Sequence, residues 1–289
     1  MPNIDLQPVR EYSAFRRLAL GSWRTAYDPT IYGAMEVRME KSLAYIEAFR
    51  QRTGIRLTVT HLVAKALAQG LRQCPEANGV LRFNRIYLRR DVDLSILVVQ
   101  TDEGASKVDL AAAKIKNVDQ KSLLTLAREI EGQVSRVRKR QDPAMEQGKK
   151  STALIPLFLM SWALDLLSFL MYTLNLDLSW AGIPRDLFGG ATVTNVGSLG
   201  IETAYVPLVP YTRVPIFVAP GAVCDAAVVE NGQVVPGKVL RLHATFDHRL
   251  VDGFHTMVLA KTIRAWLEDP FRYFDDLERL PEAGVEGGG

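Results

Sequence analysis

Near the C-terminus the chain alternates with a period of two: Leu240, Leu242, Ala244 and Phe246 are apolar, and Arg241, His243 and Thr245 between them are polar. Successive side chains of an extended strand point to opposite faces, so this segment predicts a strand with one buried face and one polar face. Something must cover the apolar face, and other segments supply it at a different period. From Ser122 onward, Leu123, Ala127, Ile130, Val134 and Val137 recur at spacings of four and three, which lines them along one side of a helix that packs on a sheet. Further helices are predicted from Lys41 to Arg52, ended by Gly54, and from an N-cap at Thr58 or Thr60 to Gln73, closed by Cys74-Pro75. Another helix start is expected at 13–20. Strands are expected at 32–39, as two runs between Arg85 and Val99, at 191–195, at 216–218, and at 222–229 before a turn at Asn231-Gly232. Helices interleaved with strands argue for an α/β architecture in which helices cover a mixed or antiparallel sheet.

A chain of 289 residues buries a sizeable core as one large domain or two smaller ones, and 48% hydrophobic with 23% charged residues is an ordinary globular composition. The net charge of +3 is mild. Its excess sits in local runs, Arg136-Val137-Arg138-Lys139-Arg140 and then Lys149-Lys150, read as a solvated helix face or as a contact with an anionic surface or a phosphorylated cofactor. Nothing else points to nucleic acid. Cys74 and Cys224 lack CxxC or metal-ligand spacing, so neither a disulfide framework nor a metal site is expected. The start, Met1-Pro2-Asn3 with Asp5, does not read as a secretory signal, and a cytoplasmic location is expected.

His248 lies just past the end of the alternating strand, where its backbone is anchored and its ring can face a cleft. An imidazole with an unperturbed pKa near about 6.5 suits a general base. A lone His beside an Asp is nonetheless more often structural, and the surrounding residues carry the further reading. Asp247-His248-Arg249-Leu250-Val251-Asp252-Gly253 resembles the active-site signature of the dihydrolipoamide acyltransferase components of 2-oxoacid dehydrogenase complexes. With Phe254 and His255 it is also similar to chloramphenicol acetyltransferase, which shares that fold. The stretch from Ala191 to Gly200, with Thr194-Asn195 and Gly197, and the ending Trp266-Leu267-Glu268-Asp269-Pro270 resemble the same family.

The resemblance implies a chloramphenicol acetyltransferase-like two-layer sandwich and a coenzyme A dependent acyltransferase. His248 would deprotonate the attacking thiol, of coenzyme A or of the acceptor, and Thr194 would donate to the tetrahedral oxyanion. Read without the resemblance, Thr194 is a strand threonine bonded to backbone. Asp252 would organise the catalytic loop, and Arg16, with Arg17 as runner-up, would pair with it; a solvated helix arginine is the bland reading. The family's assembly implies a homotrimer, with His248 of one chain facing Thr194 of the next, and trimers able to build a larger cage. Coenzyme A or acyl-CoA would be a substrate, and the lipoyl group would come from another protein in trans, because no lipoyl or subunit-binding domain precedes the catalytic segment. Two other functions stay open: an acyltransferase for a small hydroxylated or aminated molecule, and an oligomeric scaffold without turnover.

Residues 1–280 are thus expected to form one catalytic domain, with a flexible tail at 281–289. It departs from the family pattern at 101–109 and through an apolar insertion at about 151–184. Within the insertion, residues 154–176 are nearly all apolar and long enough to span a bilayer if helical. Ser161, Asp165, Ser168, Tyr172 and Asn175 fall at spacings of four, three, four and three, a narrow polar stripe. An Asp inside a lone span costs on the order of 3 kcal/mol, which disfavours that arrangement. Packing against protein, association with a membrane surface and a true span remain as readings.

Overall fold

The structure is a computed structural model that describes residues 2–9, 29–101, 108–138 and 155–282. Arg16, Arg17, the helix expected at 13–20, most of the divergent segment at 101–109, Lys139, Arg140, Lys149, Lys150 and the tail from 283 lie outside the described residues.

The first long strand, β2 (Thr30–Arg38), follows a short β1 (Leu6–Pro8) and leads into helices α1 (Glu40–Thr53) and α2 (Val59–Gln73). Gly54 ends α1 at φ 70°, a left-handed conformation that glycine adopts without Cβ strain. Of the two candidate caps for α2, Thr58 is the one used: its hydroxyl and backbone N–H both meet the His61 ring nitrogen Nδ1, at 2.6 and 3.0 Å. The chain continues through β3 (Gly79–Arg82), β4 (Arg85–Arg89), β5 (Leu94–Thr101), β6 (Val108–Ile115) and helix α3 (Leu123–Arg138). Then come α4 (Leu157–Ser168), β7 (Ala191–Val193), the long strands β8 (Ile216–Glu230) and β9 (Gln233–Asp247), and α5 (Gly253–Glu268).

Six strands form one mixed sheet in the order β2-β9-β8-β7-β5-β6, parallel where β7 meets β5 and β8 and antiparallel elsewhere. A second, antiparallel sheet has the order β1-β4-β3. Helices α1, α2, α3 and α5 supply the core that covers one face of the large sheet, with Phe49, Leu67, Leu126, Leu259 and Ile263 packed with Leu242 and Phe246. This is the expected two-layer α/β sandwich. Lys65 lies inside it, and its ammonium donates to the carbonyls of Val118, Asp119 and Lys121 at 3.1, 2.8 and 2.5 Å, which uses all three of its protons.

Three features differ from the sequence expectations. The strands expected at 216–218 and 222–229 are one strand, β8, with a register shift between Pro220 and Val223. A bulge lets a strand continue past a local break in its pattern. The polar face of β9 is closed to water over its second half, where His243 and Thr245 are 3% and 1% exposed, while Arg241 stays part-exposed. The ring of Tyr205 stands edge-on over His243 at 4.9 Å, so a loop covers that side. The apolar insertion also forms a shorter helix than its composition allows. Helix α4 runs into a π turn, Phe169–Thr173, and the chain then turns at Asn175 with φ 58°. Among the described residues no helix is long and apolar enough to cross a membrane.

Candidate active site

His248 stands where β9 gives way to α5. Its backbone N–H donates to Pro29 O at 2.6 Å and so ties the loop to the start of β2. On either side, Arg249 grips Asp247 with two parallel bonds, Nε to Oδ1 at 2.9 Å and Nη2 to Oδ2 at 2.6 Å, in a setting where both side chains are nearly buried. A fork of this kind is directional and stiffens the turn. The His248 ring places Nδ1 2.8 Å from Val251 O. A carbonyl can only accept, so this contact requires the proton on Nδ1 and leaves Nε2 as the lone-pair nitrogen.

Asp252 caps α5. One carboxylate oxygen accepts from the backbone N–H groups of Phe254 and His255 at 3.0 and 3.2 Å and from the His255 ring at 2.5 Å, and Thr256 Oγ1 donates to Asp252 O at 2.9 Å. Aspartate at this position satisfies orphan amides and faces the positive end of the helix dipole. The chosen partner for it, Arg16, is outside the described residues, and the contacts of Asp252 in the structure include this cap. His255, to which the sequence reading gave no role, serves this cap with both its amide and its ring.

Thr194 follows β7, and its backbone N–H donates to Val218 O at 2.9 Å. Its neighbour Asn195 reaches Thr60 with Nδ2 at 2.8 Å and caps the turn at Val196–Leu199 through Ser198 N at 3.0 Å. That turn lies hard against the β8 bulge: a Cβ on Gly197 would stand 2.2 Å from Gly221 O, so the close approach needs glycine.

Within one chain, Thr194 and His248 are apart. Thr194 lies at the level of Ala219, which pairs with His243 on β9. His248 is five residues further along, about 16 Å at 3.3 Å per residue, and β7 and β9 are also separated by β8. The two side chains therefore cannot share a reacting carbonyl inside a single subunit.

Several residues of the site carried no readable sequence signal. Arg213 sits at φ 53° and donates from Nε to Ser168 Oγ at 2.9 Å, so the insertion touches the loop beside the His248 turn. Burial lowers its pKa, and the nearby Arg249 acts in the same direction. His61 and His243 are buried, and desolvation pushes both rings toward the neutral form, His61 down to about 4. Cys74, Glu76 and His255 bring donor atoms within 4.8 Å of one another, a grouping hidden in sequence by the distance between 76 and 255. Zinc-bound donors stand closer together, at roughly 3.3 to 3.8 Å for ordinary bond lengths, and His255 is already engaged by Asp252. A cavity of about 80 Å³ with an almost wholly apolar lining lies between β2 and α5, bounded by Gly33, Met35, Phe246, Thr256 and Ala260 among others.

The profile of the 2-oxoacid dehydrogenases acyltransferase catalytic domain matches residues 5–155 and 184–274. The lipoamide acyltransferase component of the branched-chain alpha-keto acid dehydrogenase complex of Bacillus subtilis is 26% identical over 230 residues, which are 78% of this chain and 43% of that protein. The chain thus spans less than half the length of this curated relative. In structure it is similar to the cubic core of a pyruvate dehydrogenase multienzyme complex, with a TM-score of 0.63 at 20% identity over 91% of this chain and 93% of that one. It is also similar to chloramphenicol acetyltransferase, with a TM-score of 0.53 at 12% identity over 91% of this chain and 100% of that one. The likeness in fold confirms the chloramphenicol acetyltransferase-like sandwich, and the gap in the profile match falls on residues 156–183, within the apolar insertion. By its fold and by the match over both halves, the chain belongs to the family of 2-oxoacid dehydrogenase acyltransferase catalytic domains.

Proposed function

We propose that the chain catalyses acyl transfer between a lipoyl thiol and coenzyme A, with His248 as general base. The observation that carries this reading is the 2.8 Å contact from His248 Nδ1 to Val251 O, which holds the ring in the tautomer whose lone pair, in the neutral form, lies on Nε2. In the reaction Nε2 removes the proton from the coenzyme A thiol, and the thiolate sulfur attacks the carbonyl carbon of the acyl-lipoyl thioester. The carbonyl electrons move to oxygen. When the tetrahedral intermediate collapses, the carbon–sulfur bond to the lipoyl group breaks, and the imidazolium returns its proton to the departing dihydrolipoyl sulfur.

Thr194 of a neighbouring subunit is the oxyanion donor in this reading. Its separation from His248 within one chain supports a site made between copies, which this reading takes as a homotrimer, and it places the protein in the cytoplasm. Larger cages of such trimers and a lipoyl group supplied by another protein fit the named assemblies of the relatives. The outer face of the insertion, where exposed apolar side chains gather, is read as a contact with a membrane surface. Asp252 and its cap hold the Val251 carbonyl in place, and Arg16 stays a candidate to pair with Asp252.

The test is chromatographic measurement of coenzyme A and acetyl-CoA during incubation with dihydrolipoamide or its acetyl thioester. Wild type should turn over in both directions and His248→Ala should lose at least about 100-fold, the usual contribution of a positioned general base. Turnover only with an alcohol or amine acceptor would replace the lipoyl thiol as substrate. Equal inactivity of wild type and variant with every acceptor would leave a scaffold.

A further inference from the structure

The insertion at α4 is fixed to the protein along one side. Ser168, Tyr172 and Asn175 of the polar stripe are buried, and Asn175 bonds both the N–H and the carbonyl of Ile4 at 2.6 Å. The first part of the stripe differs from the expectation: Ser161 and Asp165 are exposed, although the Asp165 charge acts on Arg213. Along the other side, Phe158, Trp162, Leu166 and Phe169 recur at spacings of four, four and three and are 81%, 76%, 52% and 42% exposed. Trp180, just beyond, is 84% exposed. Five large apolar side chains in one short segment exceed the scatter of single surface hydrophobes, and such a patch marks an interaction surface.

A second element meets the end of this segment. The β3–β4 hairpin turns through Phe83 and Asn84, at φ 46° and 61°, and Phe83 is 64% exposed. A bulky aromatic residue rarely occupies a left-handed conformation, least of all with its ring in water. Arg82 and Arg85 flank it. Arg82 also donates to Thr173 O at 3.0 Å, which fastens the hairpin tip beside the end of the insertion helix. Arg185 and Arg90 are exposed on neighbouring segments, each facing one carboxylate, Asp177 and Asp5. At the tip itself Arg82 and Arg85 have no carboxylate partner among the described ion pairs.

We infer that this face docks on the surface of an anionic phospholipid bilayer, a reading that rests on the membrane contact proposed above and adds to it the hairpin tip and the lipid charge. The insertion helix lies flat: its 12 residues span about 18 Å, against a hydrocarbon core of about 30 Å. Tryptophan and phenylalanine enter the boundary between headgroups and acyl chains, where an amphipathic ring is favoured, and the hairpin arginines meet lipid phosphates and carboxylates. The family profile passes over residues 156–183, so the insertion helix is an addition to the catalytic fold, set beside a hairpin that the profile covers. A second copy would have to offer an apolar groove bordered by acids; the cavity between β2 and α5 has no acid in its lining, and Asp247, in the cavity beside the His248 turn, is already gripped by Arg249.

The full chain should sediment with vesicles of phosphatidylcholine containing phosphatidylserine and much less with phosphatidylcholine alone, and added salt should release it. Each cation near an anionic leaflet is worth about fivefold in partitioning, so Arg85→Glu should weaken binding about 25-fold. Trp162→Ser with Trp180→Ser should abolish binding. Both positions are exposed, and an unchanged circular dichroism spectrum and unchanged acyl transfer would show that the fold persists. His248→Ala should bind vesicles as wild type does, so failure of the acyl-transfer reading and failure of this one are separable. Equal binding to neutral and anionic vesicles, or equal binding of wild type and the tryptophan double variant, overturns the inference. So does lipid-free growth in mass with concentration that Trp162→Ser removes, because the face would then join two copies.

Discussion

Replacing Asp252 tests how the loop that carries His248 is held. In Asp252→Ala, the amides of Phe254 and His255 lose their acceptor, and the His255 ring, 8% exposed, loses its 2.5 Å partner. Loss of an N-cap aspartate costs about 1 kcal/mol, and a buried group deprived of a charged hydrogen bond costs about 2 kcal/mol more. The sum is about 3 kcal/mol. Asp252→Asn keeps an acceptor of nearly equal capping strength and removes only the charge, so it should cost about 1 kcal/mol. Urea unfolding at constant m-value measures both changes. Val251, whose carbonyl orients His248, precedes the cap directly, so Asp252→Ala should also lower kcat with little change in KM. If Asp252→Asn is as damaging as Asp252→Ala, the charge and not the cap is what matters, and pairing with a cation such as Arg16 becomes the explanation. A loss below about 0.5 kcal/mol for Asp252→Ala refutes the capping account outright.

Thr194→Ala should lower kcat by about 100-fold, the effect of removing one oxyanion donor, and Thr194→Ser should restore most of it; steady-state kinetics of acyl transfer decide. Truncating Arg249 to Ala leaves the Asp247 carboxylate buried without its fork, at a cost of about 3 kcal/mol in chemical denaturation. His61 makes stability fall in acid. Its folded pKa of about 4 lies below the unfolded value near 6.5, so the unfolded chain takes up the proton first, and stability present above pH 6.5 is lost as the pH drops toward 4. The shift corresponds to about 3 kcal/mol, and His61→Gln should flatten that part of the stability–pH curve.

The segment around His248 was legible in the chain because its elements are contiguous. The alternation from Leu240 to Phe246 determines a strand, and the run from Asp247 to Gly253 places a histidine and a helix cap directly after it. The helix boundaries at Gly54 and Cys74-Pro75 were readable for the same reason: caps and breakers act over three or four residues. What depends on distant parts of the chain was not. The β8 bulge lets two expected strands be one, and the buried state of His243 depends on Tyr205 in a loop outside its strand. The ring bond of His255 to Asp252, the grip of Arg213 on Ser168 and the attachment of the hairpin to the insertion likewise follow from packing. The apolar run at 154–176 shows the division most clearly. Sequence alone supplied the apolar run and the three- and four-residue spacing of its polar residues, since that needs only local periodicity. Which side the stripe faces, and that the helix ends too early to cross a bilayer, was decided by the tertiary structure, because those outcomes depend on partners such as Ile4 and Arg213 that lie far away in sequence.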